Sequence, residues 1–249
     1  MADTPPLPPL HLTTTGRFAA SEVNPSGPVA APGDDGRWCQ THTGRIATAM
    51  TPRVEMFALR DVAVHLSRQN RYMGATPSPF SVAQHSALVE AFVDVHVDEF
   101  YTDMGVKLTP LARVNERIAG LFHDLGEAYL PDLPSPYKSA PEFAFYREAE
   151  DRILRCGEAW LALPAFACES PLVKLADTMV GRAEARRFFP VADRPREWRL
   201  TGHGWEPGDW HEVPNTARCL PPSAAADLFW RRAISLLDIR ARLLLGAVT

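Results

Sequence analysis

The chain has 249 residues, 46% of them hydrophobic and 22% charged, with a formal net charge of −4. That length and composition allow a sizeable core without disulfide or metal staples, and the slight acidity excludes the basic footprint of broad nucleic-acid binding. No run of about 18 apolar residues is present, so no membrane-spanning helix is expected. Seven of the 23 prolines fall in the first 33 residues, among Gly, Ser, Thr and Ala without apolar periodicity. Residues 1–36 therefore read as a disordered, solvated tail carrying a charge of −3, from Asp3, Glu22, Asp34 and Asp35 against Arg17. This start is unlike a secretory signal. Trp38 to Met50 fits a short β-hairpin around a Thr-Gly break. From Glu55 the period becomes helical, through Phe57, Leu59, Val62, Val64 and Leu66, and ends before Gly74.

Ser81 opens a strong helix to about Asp98, and a further helix is predicted from Pro110 to Tyr129, stopped by Pro131. Phe143 to Ala162 reads as an amphipathic helix, and Ser170 to Phe189 as another helix, entered through Pro171 and closed by Pro190. Residues 191–222 read as an irregular segment, and Ser223 as the cap of a last helix ending at Gly246. The expectation is an all-α protein: a tail over 1–36, then one helical domain over 37–249 with its core at about 55–190 and helix 223–246 packing back. Cys39, Cys156, Cys168 and Cys219 lie far apart without a CxxC pair and read as reduced thiols of a cytoplasmic protein.

Several polar residues sit where apolar ones belong. His85 follows Val82 by three and precedes Val89 by four, so its ring is expected on the apolar side, where a lone histidine reads most simply as a core residue. His123-Asp124 interrupts IAGLFHDLGEAYL, and Asp177 interrupts LVKLADTMV. A carboxylate in such a stripe costs several kcal/mol unless it is paired or ligates a cation. Glu127, four after His123 and three after Asp124, is expected on the same helical face. Two imidazoles and two carboxylates from three helices can satisfy one divalent cation and leave positions for water and substrate.

The order H…HD…D, with the segments RYMGATPSPFSVAQHSALV, LFHDLGEAYLPDLPSPYK and VKLADTMVGRAEARRF, resembles the HD-domain metal-dependent phosphohydrolases. The similarity is to the branch of bacterial 5'-deoxynucleotidases and phage-type nucleotide hydrolases, over roughly residues 37–190. It implies an HD-domain helical bundle, often dimeric, with His85, His123, Asp124 and Asp177 as ligands of a divalent cation (Co, Mn, Zn or Mg). It also implies Glu127 as the acid acting on the attacking water, Asp132 as a further pocket acid, and Arg71 as the residue reaching the phosphate or sugar. Tyr72 stands where the deoxynucleotidases carry a sugar-selecting tryptophan. The implied reaction is metal-dependent hydrolysis of (deoxy)nucleoside 5'-monophosphates. The alternatives are a dNTP triphosphohydrolase releasing tripolyphosphate and a catalytically silent binding module.

Around this set other residues keep two readings. Lys138 is either a cation for the phosphate or a surface residue, and Lys174 is a weaker candidate for the same task. Tyr72, Phe80, Tyr129 and Tyr137 are either base-stacking or core aromatics. Arg182, Arg186, Arg187, Arg194, Arg196 and Arg199 read as a solvated face or a phosphate patch. Glu184, seven residues past Asp177, is a partner for the ligand set. His65 lies outside that set, His96 is expected to face solvent, and His42, His203 and His211 carry no assigned role.

Overall fold

The computed structural model describes residues 37–189 and 218–246. The Pro-rich tail, most of the 191–222 segment, His203, His211, Arg194, Arg196 and Arg199 lie outside the described residues. Within them the fold is all-α apart from one hairpin of β1 (Cys39–Gln40) and β2 (Ile46–Ala47). The strands pair antiparallel, Cys39 opposite Ala47 and Gln40 opposite Ile46. Asp61 fixes the turn, its carboxylate accepting from the Thr43 amide and hydroxyl at 2.7 Å each.

The helices are α1 (Leu59–Arg68), α2 (Val82–Asp103), α3 (Pro110–Phe122), the short α4 (Ser135–Lys138), α5 (Ala144–Trp160), α6 (Pro171–Phe188) and α7 (Pro222–Leu244). Ser81, Thr109 and Ser170 cap α2, α3 and α6, their side chains accepting from the amides of Gln84, Ala112 and Val173. Proline at the first position of α3, α6 and α7 removes an amide that would lack a partner and pre-sets φ. In α7 this replaces the expected Ser223 cap: Pro221 is the capping residue, and Ser223 lies inside the first turn.

α2 is the central element and packs against α1, α3, α6 and α7. It runs past the expected end near Asp98, because Val97 and Phe100 are buried and the Tyr101 hydroxyl donates to Glu116 of α3 at 2.9 Å. Gly105, at φ +73°, then turns the chain. Phe57, Phe80, Phe92, Phe122 and Phe229 are the largest fully buried side chains. Glu90, also buried on α2, ties two neighbours to it: Arg117 of α3 donates to one oxygen through Nε (2.9 Å) and a terminal nitrogen (2.7 Å), and Arg232 of α7 donates to the other. His96 is buried rather than solvent-facing, its ring centroid 4.4 Å from that of Phe92 on the previous turn. No helix among the described residues is long and apolar enough to cross a membrane.

The helix expected to continue from Pro110 to Tyr129 ends at Phe122. His123 is its capping residue and Asp124 opens a tighter 3-10 turn, Leu125–Ala128. The His123 side chain itself occupies the Gly120 carbonyl, with Nδ1 donating at 2.9 Å. The tight turn packs closely on α5: a Cβ on Gly126 would lie 2.9 Å from Glu150 Cγ, and one on Gly157 would lie 2.0 Å from Leu125 Cδ2. The two glycines thus set the separation between α5 and the turn that carries Glu127.

Candidate metal centre

Three segments bring the site together: α2 supplies His85, the junction between α3 and the following 3-10 turn supplies His123 and Asp124, and α6 supplies Asp177 and Glu184. One donor atom each from His85, His123 and Asp177 lies within 4.8 Å of the other two, a cluster that could hold a metal ion. His85 Nε2 is 3.0 Å and His123 Nε2 3.8 Å from Asp177 Oδ1. Asp124 flanks the trio, its Oδ2 at 3.7 Å from His85 Nε2 and 3.2 Å from His123 Nε2.

The hydrogen bonds fix which nitrogen of His123 is available. A carbonyl only accepts, so Nδ1 facing Gly120 carries the proton and Nε2 presents its lone pair inward. His123 Nε2, Asp124 Oδ2 and Glu127 Oε2 are buried without a hydrogen-bond partner. Unsatisfied buried acceptors are costly, and a cation held by His123 Nε2 and Asp124 Oδ2, which lie 3.2 Å apart, would relieve those two together.

His85 shows the same demand differently. It is fully buried between two carboxylates, with Nδ1 2.7 Å from Glu184 Oε1 and Nε2 3.0 Å from Asp177 Oδ1. Two facing acceptors at such distances need a proton or a metal ion between them. Burial and the Arg71 charge oppose an extra proton, but Glu184 and the hydrogen bonds to Asp177 and Glu184 outweigh them and push the pKa up to about 9. A cation on Nε2 would stand where that proton stands. Burial also opposes the ionised forms of Asp124 and Asp177, yet the neighbouring histidines hold both below the usual carboxylate range.

Arg71 reaches the centre from the 3-10 turn Arg71–Gly74. Its guanidinium is 3.2 Å from Glu184 Oε2 through Nε and 3.6 Å from Asp124 Oδ2 through a terminal nitrogen. Tyr72 beside it has φ 57° and Met73 φ 54°, the left-handed region that side-chain-bearing residues rarely adopt. The Tyr72 hydroxyl donates to Glu184 Oε2 at 2.8 Å, so this turn is pinned to α6.

Glu127 and Asp132 form a second acidic group. Burial pushes the Glu127 carboxyl well above its ordinary range, reinforced by the charges of Asp124 and Asp132 and opposed by Lys138 and Arg71. Asp132 is likewise raised, first by burial. Lys138 is partly buried, its Nζ 2.6 Å from Glu150 Oε1 and 3.6 Å from Glu127 Oε1. Lys174 is half-exposed and pairs with Glu169 at 3.4 Å, away from the cluster.

Two residues with no evident signal in the sequence shape this group. The Gln69 carboxamide donates to the Glu127 carbonyl and accepts from the Asp132 amide at 2.8 Å, clamping the tight turn to the following loop. His65 donates through Nδ1 to the Ala128 carbonyl at 2.8 Å and accepts from the His42 amide at 3.2 Å, joining the same turn to the hairpin. His65 is thus outside the ligand set, as expected, with a tethering role. Among the aromatics, Phe80 is core against Phe188, Tyr129 packs edge-on to Phe57, and Tyr137 is exposed. Of the arginine group, Arg186 and Arg187 are exposed and Arg182 is half-buried.

No protein-family model matches the chain. Over 166 residues it is 29% identical to an uncharacterized protein of Rhodobacter capsulatus, an alignment covering 64% of this chain and 78% of the relative. That similarity names no chemistry.

Proposed function

We propose that the protein is a divalent-cation-dependent phosphohydrolase of the HD-domain kind, acting on nucleoside and deoxynucleoside 5'-monophosphates. The observation that carries this reading is the convergence of His85, His123 and Asp177 donor atoms within 4.8 Å of one another, beside an arginine and a buried carboxyl of raised proton affinity. His85, His123, Asp124 and Asp177 hold the cation, with Co, Mn, Zn and Mg as candidates. When bound, the cation supplies Lewis-acid polarisation of a phosphoryl oxygen and a water of pKa lowered to about 7.

The chain's own groups do the rest. Arg71 offers planar guanidinium donors to the non-bridging phosphate oxygens, a geometry suited to phosphate. Glu127 accepts the proton of the attacking water, as a carboxyl with an elevated pKa can near neutral pH. Asp132 raises the proton affinity of Glu127 further, while Lys138 limits that rise by its charge. The four free thiols fit a reducing compartment, and we place the enzyme in the cytoplasm.

The reading is tested by incubating the purified full chain with dNMP, NMP and dNTP panels under each of the four metals. Products are separated by anion exchange. Nucleoside and orthophosphate from the monophosphates are expected, with Asp124→Ala reduced to background. Tripolyphosphate from dNTPs would replace the monophosphate assignment with a triphosphohydrolase, and no metal-dependent product from any panel would overturn the phosphohydrolase reading.

A further inference from the structure

Glu184 lies two helical turns past Asp177 on α6 and is 1% exposed. Its two oxygens accept from opposite sides: Oε1 from His85 Nδ1 at 2.7 Å, Oε2 from the Tyr72 hydroxyl at 2.8 Å and Arg71 Nε at 3.2 Å. One carboxylate therefore touches both a candidate cation ligand and the candidate phosphate-gripping arginine. We propose that Glu184 is a positioning residue that couples the two, orienting His85 for the cation and holding Arg71 off the Asp124 carboxylate. The inference rests on the phosphohydrolase reading for the roles of His85 and Arg71.

The His85 side follows from donor and acceptor chemistry. With Nδ1–H donated to Glu184, Nε2 is the nitrogen left to ligate, facing Asp177 Oδ1 at 3.0 Å. The Arg71 side follows from competition. Asp124 Oδ2 lies only 3.6 Å from the guanidinium, while the bond to Glu184 is shorter at 3.2 Å. Without Glu184, the guanidinium retains Asp124 as its nearby carboxylate and competes there with the cation. The tie from Tyr72 to Glu184 also anchors the left-handed Tyr72–Met73 turn that presents Arg71.

A carboxamide cannot replace this group. In Glu184→Gln, an amide oxygen facing His85 leaves the NH₂ against the Tyr72 and Arg71 donors. With the oxygen facing those donors instead, the NH₂ meets Nδ1 and favours the tautomer whose Nε2 carries the proton. Either way one side of the coupling breaks, although shape and volume are kept.

The test is a Co²⁺ titration of the full chain without nucleotide, read by visible absorbance, with circular dichroism confirming that each variant is folded. Glu184→Gln and Glu184→Ala are expected to bind Co²⁺ about 10–100-fold more weakly than the wild type, and Glu184→Asp to recover part of the loss. The decisive comparison is a double-mutant cycle with Arg71→Ala. Removing Arg71 should strengthen Co²⁺ binding more in the Glu184→Ala background than in the wild type, which a packing role for Glu184 would not produce. Should Glu184→Ala fail to fold, the same cycle is run with Glu184→Gln. Wild-type Co²⁺ affinity in the Glu184 variants, or equal gains from Arg71→Ala in both backgrounds, would overturn the coupling. Because nucleotide is absent, failure to hydrolyse nucleotides counts against the phosphohydrolase reading alone.

Discussion

Glu127→Gln is expected to lower kcat for nucleotide hydrolysis by about 10²–10⁴-fold while leaving Co²⁺ affinity close to that of the wild type. The side chain is buried, and one carboxyl oxygen has no hydrogen-bond partner. Its position is set by the backbone: the Glu127 amide closes on the Asp124 carbonyl at 3.0 Å, and the Gln69 carboxamide takes the Glu127 carbonyl. Glutamine preserves those bonds and the volume but removes the ability to accept a proton, so turnover should fall with cation binding intact. Steady-state kinetics beside a Co²⁺ titration separates the two effects. A variant within tenfold of wild-type turnover would remove Glu127 from proton transfer, and a matching loss of Co²⁺ affinity would make it part of the cation site.

The largest expected effect on stability lies away from the site, at the junction of α2, α3 and α7. Arg117→Ala should cost about 3 kcal/mol, the lower end of the range for stripping a partner from a buried ion. It leaves the fully buried Glu90 with Arg232 alone. Glu90→Ala should cost less. The two arginine side chains it leaves behind are 24% and 36% exposed, and Arg117 keeps Asp94 at 2.9 Å. Urea unfolding at constant m-value gives both costs. The order is the discriminating result: a larger loss for Glu90→Ala would mean that the carboxylate's packing, not its burial as a charge, dominates the junction.

Helix order, the hairpin and the helix starts at Ser81 and Ser170 were legible in the sequence, because apolar period and helix-start chemistry are local properties, whereas the cap expected at Ser223 falls to Pro221. The end of α3 was not. The run IAGLFHDLGEAYL keeps an apolar pattern through His123, and only tertiary contact shows that the ring takes the Gly120 carbonyl and that Gly126 lies against Glu150. Glu127 consequently stands near Asp124 through a tight turn, not through a shared helical face. His85, His123 and Asp177 were legible as polar residues costly on apolar stripes. His96 shows the limit of that rule, since a histidine expected in solvent is buried against Phe92. Gln69 gave no signal, because an uncharged residue just beyond a helix end is ordinary, and its clamp on Glu127 and Asp132 exists only once the turn has folded. The pairing of Lys138 was equally hidden, since its partner Glu150 comes from α5.

In the proposed function His85, His123, Asp124 and Asp177 together hold one divalent cation. The measurement that tests it most directly is Co²⁺ titration of metal-free protein by calorimetry, repeated with Asp177→Ala and His123→Ala. One site per chain in the wild type, weakened by about 100-fold or more in either variant, is the result expected for removal of a direct ligand, at or beyond the upper end of the effect of an outer partner. Wild-type protein that takes up no Co²⁺, or both variants binding it as tightly as the wild type, would contradict the account.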